Sequence, residues 1–142
     1  MAPFGVSIFS RATGSAEGVF DLLDHISIRV SDYDRSKQFY SAALAPLGYK
    51  LLFEHPISGA GFGRAGKPDF WIKQGTVCPS LHIAFVSDDR ATVDAFHKAA
   101  LAASGRDNGR PGLRSEYHPA YYGAFVLDPD GYNIEAVCHE AV

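Results

Sequence analysis

Cysteine is scarce in this 142-residue chain: Cys78 and Cys138 stand far apart with no CxxC spacing. That excludes a disulfide scaffold and a thiolate metal ribbon, and it fits a reducing, cytoplasmic setting with both thiols buried. Charge is also sparse, at 20% of residues with a net value of −3. No run of Lys or Arg could track a phosphate backbone or an acidic bilayer, so neither nucleic acid nor membrane surface is expected as a partner. No stretch reaches the ~18 apolar residues of a membrane span. The apolar run Phe4–Phe9 lacks a basic flank and a small-residue cleavage site, so residues 1–20 read as an N-terminal arm. The glycine-rich segment GAGFGRAG has no lysine of a phosphate loop and no following helix, which excludes nucleotide binding there and leaves a hairpin around Gly59–Gly61 that narrows a cavity.

What is abundant is apolar and aromatic side chain, 46% and 13% of the chain. At this length one domain buries enough surface to fold without metal support, so any metal it holds serves chemistry. The chain also repeats itself. Shifted by 57 positions, residues 25–48 align with 82–105 without a gap and with nine identities, among them His25 with His82, Asp32 with Asp89, Phe39 with Phe96 and Gly48 with Gly105. Composition alone gives roughly two.

Each copy has the same grammar. Asp24 to Val30 alternates Ile26, Ile28 and Val30 against His25, Ser27 and Arg29, the period of a half-buried strand, and Leu81 to Val86 is its counterpart. Ser31 or Asp32, and Asp88 or Asp89, can cap the helices that follow. Those helices place Phe39, Tyr40, Ala43 and Leu44, then Val93, Phe96, Ala100 and Leu101, on one face. Gly48 and Gly105 supply the positive φ that ends each helix. Strands follow over about 49–54, 61–64 and 69–74 in the first copy, and over 121–127 and 132–138 in the second, the last two joined by the turn Asp128-Pro129-Asp130-Gly131. The fold class is α+β, two βα-plus-strands modules over about 22–77 and 79–139. The segment Arg106 to Ala120, rich in Gly, Pro and Arg and without a period, reads as a long functional loop.

Two histidines at equivalent positions, packed about a pseudo-twofold axis, approach one cavity from opposite sides. Glu135 is the carboxylate that can join them, since Asn133, Glu135 and Val137 share one face of an otherwise apolar strand and a carboxylate buried there needs a cation. His25, His82 and Glu135 are therefore the candidate ligands of a divalent metal. On and after the long loop, Arg114 can pair with an anionic substrate group. His118 can exchange protons near neutral pH. Tyr121 and Tyr122 point to opposite faces of a strand, so one of them reaches the cavity. His55, His97 and His139 read as non-functional, His97 as exposed beside Phe96.

The segments LDHISIRVSDYDRSKQFYSAALAPLGY, LHIAFV and LDPDGYNIEAV resemble the vicinal oxygen chelate superfamily, the group of glyoxalase I, type I extradiol dioxygenases, and fosfomycin- and bleomycin-resistance proteins. The resemblance covers residues 22–139. It implies two βαβββ modules, each a half-barrel, around a divalent ion (Fe, Mn, Ni or Zn) held by the first and last strands of the modules. Those positions are His25, His82 and Glu135, with Trp71 at the fourth, or Ile72 or Lys73 if the register slips. Glyoxalase I carries a carboxylate there, so its activity fits poorly, whereas two His and one carboxylate match the facial triad of non-haem iron dioxygenases. Trp71 and Arg114 then become substrate contacts, with His118, Tyr121 and Tyr122 as proton-transfer candidates. The implied protein is a homodimer that acts on a small oxygen-bearing substrate, in a dioxygenase-like or glyoxalase-like manner. The alternative is a metal-free protein that binds a drug or antibiotic.

Overall fold

A computed structural model describes residues 23–141 apart from Ser58 and Pro79. The arm expected over residues 1–20 lies outside them. The chain runs β1 (Ile26–Val30), α1 (Tyr33–Ala43), a 3-10 turn (Ala45–Leu47), β2 (Lys50–His55), β3 (Gly59–Arg64) and β4 (Lys67–Gln74). The second half runs β5 (His82–Val86), α2 (Arg90–Ala102), β6 (Arg106–Leu113), β7 (Tyr122–Leu127) and β8 (Asn133–Cys138). Strand and helix recur in the same order in both halves, as the 57-residue repeat implies. Both helices begin where expected: the Asp32 carboxylate accepts from the Arg35 N–H at 3.0 Å and that of Asp89 from the Thr92 N–H at 2.7 Å.

Each module forms a four-stranded sheet, β1-β4-β3-β2 and β5-β8-β7-β6. The first and last strands of a module run parallel, which needs the helical crossover between β1 and β2 and between β5 and β6; the other pairs are antiparallel. Alternate residues of β1, β4, β5 and β8 point toward the helices, where Ile28, Val30, Ile72, Ile83 and Ile134 meet Phe39, Tyr40, Val93 and Phe96. The helices also pack on each other, and Phe85 of β5 touches Phe70 and Tyr49 of the first module edge-on at 5.3 and 5.4 Å. One core thus spans both modules on the helix side, and each sheet keeps the opposite, open face for chemistry.

Five expectations are corrected. The segment Arg106 to Ala120 is not a single loop: its first half is β6, whose alternation is hidden because the ladder with β7 slips twice, between Asp107 and Gly109 and between Gly109 and Gly112. Pro111 is tolerated because β6 is an edge strand. The stretch Gly59–Gly61 is strand, with the turn at Ala65–Gly66. Gly48 does take φ +80°, but in the second copy Ser104 takes the positive φ, and Gly105 is needed for space, since a Cβ there would sit 2.8 Å from the Phe39 ring. His97 is buried, not exposed, with Nε2 2.9 Å from the Asp107 carboxylate. Cys138 is buried as expected, while Cys78 is exposed.

Candidate functional site

On the open face of the second sheet, β5 contributes His82 and β8 contributes Glu135, because His82 stands opposite Asn133 and Ala84 opposite Glu135 in the parallel ladder. Glu135 lies in a central strand and is only 1% exposed. Its Oε2 is 3.1 Å from His82 Nε2, and its Oε1 accepts a 2.5 Å hydrogen bond from the Tyr121 hydroxyl. The other imidazole nitrogen, His82 Nδ1, lies 3.0 Å from the Asn133 carbonyl oxygen. A carbonyl can only accept, so Nδ1 carries the proton, and in the neutral ring the Nε2 lone pair faces the carboxylate. Two electron-rich groups hold that geometry only with a proton or a metal cation between them. A carbonyl that sets the tautomer in this way is also the usual outer support of a metal-ligating histidine. The donor set therefore fits a divalent cation.

The surroundings shape this pair. Phe125, opposite Glu135 in the β7–β8 ladder, stacks on His82 with ring centroids 6.2 Å apart. The Arg114 guanidinium lies 5.5 Å from the Phe125 ring and is tethered to the Arg110 carbonyl at 2.7 Å. Gly123 leaves room for the carboxylate, since a Cβ there would stand 3.0 Å from Glu135 Oε1 and 3.2 Å from the Tyr121 ring. Burial, then the hydrogen bond to Glu135, pushes the Tyr121 hydroxyl well above its ordinary pKa, so it stays a donor.

Of the two neighbouring tyrosines, Tyr121 is the one that faces Glu135. Tyr122 points to the helix side and donates to Asp94 of α2 at 2.7 Å, which removes it from the site. His118 sits at the rim. Its Nδ1 accepts from the Ala120 N–H at 3.1 Å, and its ring is 6.4 Å from His139, which in turn meets Tyr121 edge-on at 5.1 Å. His139 and Phe125 also border this pair, neither having been singled out as a site residue in the sequence. Phe125 carried a usable signal, since it alternates with Gly123 on the face that Glu135 shares, whereas His139 lies past the end of β8 and followed no period.

His25 is not brought to this pair within one chain. It lies on the open face of the first sheet, with Nδ1 2.7 Å from the Asp24 carboxylate, whose other oxygen is 2.9 Å from Lys67 Nζ. The hydrogen bonds from His25 and Lys67 hold the Asp24 carboxyl below its usual pKa. Among the described residues of a single chain no group of three or more His, Cys, Asp or Glu is placed to hold a metal ion. The register also fixes Trp71: it stands opposite Ser27, as Glu135 stands opposite Ala84, and Ser27 and Ala84 are equivalents under the repeat. Trp71 thus occupies the position in module one that Glu135 holds in module two.

Residues 22–136 match the family model of the Glyoxalase/Bleomycin resistance protein/Dioxygenase superfamily. The chain belongs to this superfamily. Among solved structures, a glyoxalase/bleomycin resistance protein from Albidiferax ferrireducens T118 superposes with a TM-score of 0.71 at 27% identity, over 83% of this chain and 98% of that one. A glyoxalase/bleomycin resistance protein/dioxygenase family enzyme from Burkholderia phytofirmans PsJN gives 0.64 at 18% identity, over 82% and 98%. A glyoxalase I mutant from Zea mays gives 0.59 at 24% identity, over 81% of this chain and 46% of that longer one. No curated protein matches the sequence. The last two share the superfamily fold; at such identities they carry no activity across. Two modules of this superfamily type account for the paired sheets and for the repeat.

Proposed function

We propose that the protein is a metal-dependent vicinal oxygen chelate enzyme acting on a small oxygen-bearing substrate in the cytoplasm. In this reading His82 and Glu135 of one copy and His25 of a second copy hold a divalent ion (Fe, Mn, Ni or Zn) in a homodimer. The observation that supports it is the His82–Glu135 contact, in which the Asn133 carbonyl turns an imidazole lone pair onto a buried carboxylate. Such a pair is costly without a proton or a metal cation between its members. A second copy supplies His25 because, among the described residues of one chain, that histidine joins no group of three metal-ligating side chains. Trp71 in place of a fourth carboxylate favours a three-ligand set with open positions, dioxygenase-like rather than glyoxalase-like.

When bound, such an ion polarises substrate oxygens or brings substrate and oxygen together. The chain's own residues do the rest. Asn133 keeps Nδ1 of His82 protonated, and Tyr121 holds the second oxygen of Glu135 in place. Arg114, whose two terminal nitrogens donate to the Arg110 and Leu113 carbonyls, offers its remaining donors to an anionic group of the substrate. His118 at the rim exchanges protons with solvent.

A metal-free ligand-binding protein is the second reading, favoured by the two partners that Glu135 already has in Tyr121 and His82. Elemental analysis of protein purified without chelator separates them. The first reading expects near-stoichiometric metal in the wild type, lost in both His82→Ala and Glu135→Gln; folded wild-type protein devoid of metal, and unable to take it up, establishes the second.

A further inference from the structure

The chain has two asparagines, Asn108 and Asn133, and they touch: Asn108 Nδ2 donates to Asn133 Oδ1 at 3.1 Å. Their settings differ. Asn133 lies in a central strand, opposite His82 of β5 on one side and Leu127 of β7 on the other, and the β-branched Ile134 that follows it shields the next peptide nitrogen. Asn108 is exposed on the edge strand β6, at the first slip of the ladder. Asp107 there pairs with Val126 and Gly109 with Phe125, so Asn108 has no partner strand residue of its own. The residue after it is glycine, which has no side chain to screen the main-chain nitrogen. No other asparagine–glycine step occurs in the chain.

The slip is held by polar contacts that bear on this nitrogen. The Gly109 N–H donates to Asp107 Oδ1 at 3.1 Å, and the same oxygen lies 2.9 Å from His97 Nε2. These contacts, that of His97 first, keep the Asp107 carboxyl below its usual pKa, so it stays an acceptor. A hydrogen bond along N–H lies in the peptide plane and occupies neither face of the nitrogen. Arg114 brings positive charge to the same place. A Cβ built on Gly109 would stand 3.3 Å from its Nη2, which donates to the Arg110 carbonyl at 2.7 Å. A guanidinium so placed stabilises negative charge that develops on a nearby peptide nitrogen or carbonyl oxygen.

We infer that Asn108 is a site of spontaneous deamidation, and that its isoaspartyl product moves Arg114 from its seat on β6. The Gly109 nitrogen bonds to Asn108 Cγ; the Cγ–Nδ2 bond breaks, and Nδ2 leaves as ammonia with the proton that Gly109 gives up. Water then opens the cyclic imide. Opening at Cγ yields aspartate, and opening at the main-chain carbonyl yields isoaspartate, whose main chain runs through Cβ and Cγ. One water enters, one ammonia departs and no electrons are transferred. The isoaspartyl form adds a main-chain carbon between Asp107, which anchors β6 to α2, and the Arg110 carbonyl that holds Arg114. Either form also replaces the donor to Asn133 with a carboxylate. None of these steps uses a metal, so the inference stands apart from the function proposed above.

The test is incubation of folded full-length protein in mildly acidic and mildly alkaline buffer, followed by peptide mapping with mass spectrometry. Asn108 is expected to gain the mass difference between NH and O while Asn133 does not, and an isoaspartyl methyltransferase should label the same peptide. The rate should lie within about tenfold of that in urea-unfolded protein and rise roughly tenfold per pH unit, as removal of a proton from a very weak acid requires. Asn108→Gln, which would have to close a larger ring, should show no gain at that position. In nitrogen-labelled protein the Arg114 Nε–H resonance, identified by its absence from Arg114→Lys, is expected to shift in the isoaspartyl fraction and to stay in place in incubated Asn108→Gln. Conversion slower than that tenfold margin, or equal at Asn108 and Asn133, overturns the site. An isoaspartyl fraction whose Arg114 resonance is unmoved overturns its consequence. Should Asn108→Gln lose the backbone spectrum of the wild type, Asn108→Ser serves as the same control.

Discussion

Glu135 gathers polar contacts on the open face of the second sheet in one side chain. A carboxylate so deeply buried is held by the Tyr121 hydroxyl, by the approach of His82 and by the absence of a side chain at Gly123. Tyr121→Phe removes a donor from a buried charge, a loss worth roughly 1–3 kcal/mol. The expected outcome is a lower urea midpoint at an unchanged m-value, with the deficit reduced when saturating metal is present. Gly123→Ala pushes on the carboxylate and on the Tyr121 ring at once. Retained metal affinity in that variant would show that Glu135 has freedom to move which the packing denies it.

At the scale of the element, caps and ladders decide what the periodic pattern leaves open. Asp32 ends the extended entry to α1 and satisfies a free N–H of its first turn, so Asp32→Ala should cost about 1 kcal/mol in chemical denaturation. Asp89 does the same for α2, and its hydrogen bonds with Thr92 lower its pKa below the ordinary 3.8. A lowered carboxylate contributes stability that is complete above the unfolded-state value and is lost as pH falls through the folded one. Melting temperatures followed downward from pH 5 should therefore decline less steeply in Asp89→Asn, which keeps a cap but cannot titrate. On β6 two slips of the ladder place Asp107 where it reaches His97 on α2. An irregular strand thereby acquires a fixed attachment to the helix.

Across the whole molecule, the turn after β7 ties the modules together. Asp128 accepts from the Tyr40 hydroxyl of α1 at 2.5 Å and from the Tyr132 N–H at 2.9 Å, Tyr132 in turn donates to the Arg29 carbonyl at 2.6 Å, and Asp130 accepts from Ser31. Burial raises the Asp128 pKa against the pull of these donors. Tyr40→Phe leaves that carboxylate short of a donor between modules, and a loss of roughly 1.5–3 kcal/mol is expected for a bond to a charged group. The proposed dimer has its own test. Co-expression of His25→Ala with His82→Ala gives mixed dimers in which one site is intact and the other lacks both histidines. Random pairing then restores about a quarter of the wild-type metal content, whereas a site built within one chain recovers none.

Much of this was legible in the amino-acid order alone. The 57-residue repeat, the alternation around His25 and His82 and the caps at Asp32 and Asp89 are local patterns, and local backbone geometry follows from them. The equivalence of Trp71 and Glu135 was readable for the same reason, because two copies of one module keep one register. His82 and Glu135 were already expected at one cavity, but their direct contact, the turning of Tyr122 toward Asp94, the strand hidden in Arg106–Leu113 and the burial of His97 were decided by the tertiary structure. Each depends on which strand lies beside which and on where a ladder slips, and neither is written in the local period of the chain. The placement of His25 belongs to the same class: equivalence in the repeat says that two histidines occupy like positions in their sheets, while the shared helix-side core determines that the two open faces of one chain do not meet at the His82–Glu135 pair.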